Sequence, residues 1–310
     1  MGEFDWIKRY LKPIATSDGA RSLSDDVAEL KTNPDTVLIA SMDTLIEDVH
    51  FLRSDPIDSV ARKLVRVNVS DILSKGGQPT DAMLSIAWPA GRPEEHFAAF
   101  AAALGDDLKH WGCDLVGGDT VSTAGPLVLT LMITGACART PPLRSGARAG
   151  DAVIVSGEIG AGGLGLQDAK IGRASVFADR YRIPALPAPT IGLIISEYAN
   201  ASIDVSDGLL SDLGHIASAS GVGISIDLAD VPFVVPEPDL GTALDLSTAG
   251  DDYQCLFTVR ADRVESCLAW ARSAGLQLTP IGCVGAGDGI ELRFKGKTVA
   301  VPARTGFQHG

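Results

Sequence analysis

The sequence predicts a mixed α/β chain of two domains, with helices and strands combined in each half. Three observations carry this. Apolar runs of strand length alternate with amphipathic helix patterns along the whole chain. A proline-, glycine- and arginine-rich stretch, Ala138–Gly150 (ARTPPLRSGARAG), divides it near the middle. The 310 residues are about two domains' length. The expected boundaries are 1–137, a linker over 138–150, and 151–310.

In the first half, residues 3–11 read as a short amphipathic helix with Phe4, Ile7 and Leu11 on one face. A polar loop follows and holds the acidic pair Asp25 and Asp26. Adjacent carboxylates repel each other and are more comfortable near a cation, although a solvated turn also accommodates them. A strand over Thr36–Ala40 runs into SMDTLIEDVHF, which carries Asp43 and, beyond it, His50. The next helix spans about 59–74, with Val60, Leu64 and Val67 inward; Pro56 and Asp58 start it and Gly76 and Gly77 stop it. Asn68 and Asp71 are three apart and share a helix face. A strand (81–88), an alanine-rich helix (93–111) and DLVGGDT (114–120) follow. In the last of these, Gly117 and Gly118 let the backbone approach a ligand or make a tight turn, and Asp119 comes next. The uncharged run 126–137 reads as a buried strand.

The second half opens with a strand (151–156) and GEIGAGGLGL, in which residues 160–165 match GxGxxG. A dinucleotide fold would need a second strand ending in an acid about 20 residues later, and the run Asp179–Pro184 does not supply it. The expectation is therefore a glycine loop that contacts phosphate or only turns the chain. Gly296, Lys297 and Thr298 imitate the end of a phosphate-binding loop, but Glu291 occupies the place of its leading glycine. The densest stretch is ASIDVSDGLLSDLGHI (201–216). A strand ends near Val205 and a helix with the apolar stripe Leu209, Leu210, Leu213 and Ile216 begins. Asp204 and Ser206 share a strand face and are delivered, with Asp207, to a helix N-terminus whose N–H groups are free. A plain N-cap by Ser206 or Asp207 is the structural alternative. Further strands are expected near 223–228, 254–259, 280–284 and 290–294, with a helix over 262–274. The acidic pair Asp251 and Asp252 and an isolated Phe307 complete the pattern.

The net charge of −13 argues against a nucleic-acid surface and repels phosphate ligands unless cations intervene. The five cysteines form no CxxC pair and read as reduced thiols. No apolar run approaches the ~18–20 residues of a membrane span, and the first residues lack a signal-peptide core. The expected setting is soluble and cytoplasmic. Scattered aspartates at strand ends and helix starts suit Mg²⁺, a hard cation that also takes phosphate oxygens and water. No metal-spaced histidine or cysteine cluster points to zinc, and no nucleophilic Ser/His/Asp signature is present. Metal-assisted phosphoryl transfer remains, with the aspartates expected to converge on shared ions.

Seven ordered motifs, SLSDDVA, SMDTLIEDVHF, VNVSDILSKGG, LVGGDT, LRSGARAGD, IDVSDGLLSDLGHI and TAGDDYQ, resemble the thiamine-monophosphate kinase family of the aminoimidazole-ribonucleotide synthetase-like ATP-binding superfamily. The resemblance implies an N-terminal α/β domain whose sheet pairs across a homodimer and a C-terminal α/β domain. It implies ATP as co-substrate, several Mg²⁺ ions, and direct in-line transfer to thiamine monophosphate. It further implies Asp26, Ser41, Asp43, Asp71, Asp119, Asp204 and Asp207 as metal ligands. Gly118, Asp119, Arg144 and Ser206 match ATP contacts, and His50, Asp251 and Phe307 match substrate contacts. No catalytic base is implied, because the acceptor phosphate is already ionised at neutral pH. The chain departs from the family at Ser22, Ser24, Met42, Lys75 and Gln254. Rival members fit less well: selenophosphate synthetase needs a reactive cysteine near the N-terminus, where the first here is Cys113, and the hydrogenase maturation protein needs a C-terminal cysteine, where Gly310 stands. Aminoimidazole-ribonucleotide synthetase and a non-catalytic nucleotide binder are the remaining alternatives.

Overall fold

The computed structural model describes residues 3–24 and 27–307. The chain divides into two compact units, Met1–Ile72 with Gln78–Cys137, and Leu73–Gly77 with Ala138–Gly310. The short excursion at Leu73–Gly77 has no signature in the sequence.

The first unit begins with α1 (Glu3–Trp6), which widens into a π-helical turn at Ile7–Leu11. It continues through β1 (Val37–Ile46), α2 (Ile57–Ser74), β2 (Gly77–Pro89), α3 (Glu94–His110), β3 (Asp114–Thr123) and β4 (Val128–Cys137). The strands form a sheet of order β1-β4-β2-β3, with β1 antiparallel to β4 and β2 parallel to β3. The parallel pair requires a crossover, which α3 supplies. The expected inward residues of α2, Val60, Leu64 and Val67, are at most 2 % exposed. Leu129, Leu131 and Ile133 of β4 are fully buried. At Gly135 a Cβ would come within 2.5 Å of Ile72 Cγ2, so helix and strand touch where only glycine fits. Trp88, Phe97 and Phe100 pack edge-on or tilted beneath α3, with Trp88 and Phe97 centroids 5.0 Å apart. Asp107 of α3 is buried and accepts from Arg66 Nε at 3.1 Å and Arg66 Nη2 at 3.0 Å, tying α3 to α2.

The second unit contains β5 (Asp151–Ser156), α4 (Ala161–Lys170), α5 (Val176–Arg182), α6 (Thr190–Tyr198), β6 (Ala199–Asp204), α7 (Leu209–Ser220), β7 (Gly223–Asp227), α8 (Leu240–Thr248), β8 (Cys255–Arg260), α9 (Val264–Ser273), β9 (Leu278–Gly285), β10 (Gly289–Phe294) and β11 (Lys297–Val299). The sheet order is β11-β10-β7-β9-β5-β8-β6. β7 and β10 run parallel, and the other strand pairs resolved are antiparallel. The apolar stripe Leu209, Leu210, Leu213 and Ile216 is fully buried against this sheet's core. Each such side chain contributes about 2 kcal/mol on burial.

Four helices escaped the sequence reading, one of them α4, where a glycine loop was expected. α5 and α8 are short and start at Ser175 and Asp239, whose side chains accept from Ala178 N and Thr242 N. α6 follows the prolines at 184, 187 and 189, which read as loop, yet it buries Ile191, Ile194 and Ile195. The 138–150 stretch is also no free tether. Its turn Arg144–Gly146 lies on β6, where a Cβ at Gly146 would fall 1.8 Å from Asn200 O, and Ser220 Oγ donates to Arg144 O. Among the described residues no helix is long and apolar enough to cross a membrane.

Replacing Asp107 by alanine leaves Arg66 without its buried carboxylate. Urea unfolding should show a loss of about 3 kcal/mol. A loss below about 0.5 kcal/mol would mean that the pair does not hold α2 to α3.

Candidate functional site

Each unit carries a group of carboxylates. In the first, β1 and α2 build it together. Ser41 Oγ donates to Asp71 Oδ2, and Asp43 N donates to Asn68 Oδ1 at 2.9 Å. Asn68 is fully buried, and its amide is oriented by donation to Leu64 O at 2.9 Å. The spacing of Asn68 and Asp71 therefore does place both toward one strand. Burial, with Asp71 alongside, pushes the Asp43 carboxyl up to about 6. Two carboxylates held this close resist ionising together unless positive charge joins them.

β1 ends in the loop that carries His50. Ile46 N donates to His50 Nδ1 at 3.0 Å, so in the neutral ring the proton sits on Nε2. Beneath the loop, the buried Lys63 ammonium donates to His50 O at 3.1 Å. Asp119 stands apart. It is exposed on β3, and two strands separate β3 from β1 in the sheet order. The glycines before it lie within a strand and make no turn. They follow a bulge in β3, and Gly118 adopts φ 154° with a would-be Cβ 1.9 Å from Leu84 O, so the close approach is to β2. Asp26 lies outside the described residues.

In the second unit, three segments are stitched together by backbone hydrogen bonds just past the ends of β6 and β8. Val205 N donates to Gln254 O and Tyr253 N to Val205 O, both at 2.7 Å; Asp251 N donates to Ser206 O at 2.9 Å. Phe307 N donates to Asp207 O at 2.9 Å, which brings the C-terminal tail to the same place. Asp204, Ser206, Asp207, Asp251 and Phe307, far apart in sequence, thus share one loop cluster. The strain there is local. Asp251 (φ 69°) and Tyr253 (φ 51°) are left-handed, at a cost of about 1 kcal/mol or more each. Gly208 (φ 126°) begins α7 with no side-chain cap, so neither Ser206 nor Asp207 is the plain N-cap.

Asp212 does that work instead, and sequence reasoning missed it. From the first turn of α7 its Oδ2 accepts Asp207 N at 3.3 Å and Gly208 N at 3.2 Å. Burial, and then the charges of Asp204 and Asp207, push its carboxyl up to about 8. Asp207, Asp212 and His215 each bring a ligand atom within 4.8 Å of the others. The missed signal was the three-residue spacing of Asp212 and His215 on a helix that starts beside Asp207.

The glycine loop resolves differently from its expectation. Gly160 (φ 100°) is the N-cap of α4, and residues 161–170 are helical. The N–H groups of Gly160 and Gly162 are taken by the chain's own Asp252, at 2.7 and 3.0 Å. An internal carboxylate, not a phosphate, fills that helix N-terminus. Lys295 N and Gly296 N likewise donate to Asp227, closing the β10–β11 hairpin. Two departures acquire reasons. Gln254 donates to Ala185 O at 2.8 Å while accepting from Ser156 Oγ, which a carboxylate could not do. Lys75 donates to Ser202 O, two residues before Asp204. Arg144 is exposed and its guanidinium pairs with none of the described carboxylates, but its backbone is tied to Ser220 at the end of α7 opposite Ser206.

These features define an AIR synthase related architecture. Residues 24–137 match the AIR synthase related N-terminal domain and residues 148–295 the C-terminal domain. The thiamine-monophosphate kinase of Caulobacter vibrioides is 36% identical over 321 residues, covering 99% of this chain and 91% of the relative. The solved thiamine-monophosphate kinase of Stenotrophomonas maltophilia superimposes with a TM-score of 0.82 at 30% identity, covering 96% of this chain and 98% of that one. AaThiL complexed with AMPPCP and TMP gives a TM-score of 0.74 at 29% identity, covering 96% of each chain. The chain belongs to the thiamine-monophosphate kinase family.

The raised carboxyls set the sign of a pH dependence. Asp212 (about 8) and Asp252 (about 7) bind protons in the folded chain that the unfolded chain has released. Stability should therefore be greatest in mild acid and fall as pH rises toward 8, by at most about 1.4 kcal/mol per pH unit per group. Urea midpoints without divalent cation should be higher at pH 6 than at pH 8, and Asp212→Asn should flatten the difference. A wild-type midpoint that rises with pH would contradict this.

Proposed function

We propose that this chain transfers the γ-phosphoryl group of ATP to the phosphate of thiamine monophosphate, yielding thiamine diphosphate and ADP. The observation that carries the reading is full-length similarity to thiamine-monophosphate kinases, one solved with AMPPCP and TMP, in a fold that gathers Ser206, Asp207, Asp251 and Phe307.

The donor set suits Mg²⁺. Ser41, Asp43 and Asp71 in the first unit, and Asp204 and Asp207 in the second, are all hard oxygen donors. Burial, and then the Asp71 charge, raise the Asp43 carboxyl, and a bound cation would favour its ionised form. These residues, with Asp26 and Asp119, would hold the ions. When bound, Mg²⁺ would neutralise phosphate charge. Gly118, Asp119, Arg144 and Ser206 are assigned to the nucleotide, Arg144 as the cation free to meet phosphate. His50, Asp251 and Phe307 are assigned to the acceptor. Its phosphate oxygen is already ionised, so the protein's task is to orient the two substrates in line. A cytoplasmic setting agrees with five free cysteines and with ATP as co-substrate. Pairing of two chains through the β1 edge is supported by Val37, Leu38 and Met42, which lie exposed on a strand that, among the described residues, is the sheet's edge beside β4.

A coupled assay should show ADP release that depends on thiamine monophosphate; nucleotide binding without turnover would favour a non-catalytic binder. Asp71→Asn should lower kcat by about 100-fold or more with an unchanged melting curve, on the scale of losing an electrostatic contact to the transition state. Near-wild-type turnover would remove Asp71 from the ligand set. Loss of the His50 or Phe307 side chain should raise KM for thiamine monophosphate and leave that for ATP nearly unchanged; equal rises would count against the acceptor assignment.

A further inference from the structure

Asp252 follows the assigned acceptor contact Asp251 in the chain, and its own carboxylate is engaged by the start of α4. It is 4 % exposed, and both its oxygens accept backbone N–H groups from the start of α4, Gly160 at 2.7 Å and Gly162 at 3.0 Å. The contact is close on the backbone side as well. A Cβ at Gly162 would lie 2.4 Å from Gly250 O and 2.6 Å from Asp251 O, so the loop rests directly on the helix. On either side of Asp252 the chain takes left-handed turns that non-glycine residues avoid, at Asp251 (φ 69°) and Tyr253 (φ 51°). The Tyr253 hydroxyl then donates to Asp251 Oδ1 at 3.0 Å. The placement of the half-buried Asp251 carboxylate thus depends on a backbone shape that the buried pair of hydrogen bonds braces.

We propose that Asp252 is a positioning residue for the acceptor substrate: anchored on the first turn of α4, it holds the 250–253 loop in the left-handed form that aims Asp251. This rests on the reading of Asp251 as an acceptor contact. The role is distinct from simple stabilisation. A carboxylate is required because two converging N–H donors need two acceptor oxygens. Asparagine supplies one oxygen and turns an N–H₂ toward the other donor, which tilts the loop without emptying the core.

The test is steady-state kinetics on Asp252→Asn, Asp251→Asn and the double variant, with melting curves for each. Asp252→Asn should raise KM for thiamine monophosphate about tenfold while KM for ATP stays within about twofold. The double variant should be no worse than Asp251→Asn by more than about twofold, because the aim of a carboxylate that is gone no longer matters. A rise in KM for Asp251→Asn with none for Asp252→Asn overturns the positioning role and leaves the acceptor reading standing. No rise for Asp251→Asn overturns both. Equal losses for ATP and acceptor, or effects that multiply in the double variant, reduce Asp252 to a structural residue and overturn the proposal. Should Asp252→Asn fail to fold, Gly162→Ala pushes the same loop from the helix side. It should show the same acceptor-specific rise, and an unchanged KM in that folded variant would overturn the proposal.

Discussion

The short backbone ladder beyond β6 and β8 is the constraint on which the second unit's site depends. Asp204 pairs with Cys255 at the end of the regular sheet, and the bonding continues into what would otherwise be two free loops. Val205, Ser206, Tyr253 and Gln254 keep the strand-like exchange going while the chain turns, and Phe307 joins through Asp207 O. Functional side chains on loops need a rigid support. Here the support is the sheet itself, extended by a few residues and paid for by two left-handed non-glycine residues.

Negative charge is the second theme, and the fold manages it in three ways. Asp212 and Asp252 lie buried, which raises both carboxyls, and backbone N–H groups at the starts of α7 and α4 offset part of that burial cost. Asp107 is matched by Arg66 between two helices and has no part in the site. Asn68 holds Asp43 through its backbone N–H, and the Asp71 carboxylate accepts from Ser41, a neutral donor that adds no positive charge. The last arrangement leaves charge available, which is the property a cation-recruiting site in a chain of net charge −13 requires.

The three glycine signals show how one residue type serves different ends. Gly117 and Gly118 sit mid-strand beside a bulge, and at Gly118 the β2 backbone comes too close for any side chain. Gly160 and Gly162 begin a helix whose anion is internal. Gly296 turns a hairpin closed by Asp227. The last two matched fragments of phosphate-binding patterns, and the first read as a close backbone approach or a tight turn. In each case the partner that decided the outcome comes from a distant part of the chain.

The sequence by itself determined the regular elements with strong periodicity, because burial of one face dictates spacing: the stripe on α7, the inward residues of α2 and the uncharged β4 were all legible. It also determined the family, since seven ordered motifs are specific. Only the tertiary structure decided which carboxylates face which donors. Asp212 and His215 left only a spacing of three, and Asp252 only its place in an acidic pair, because the carboxylates' partners are backbone N–H groups. α5, α6 and α8 were hidden by prolines and short length, where packing outweighs propensity. Hydrogen bonds across tens of residues leave no period in a chain, so the loop cluster around Ser206 and Asp251 exists only once β6 and β8 have paired.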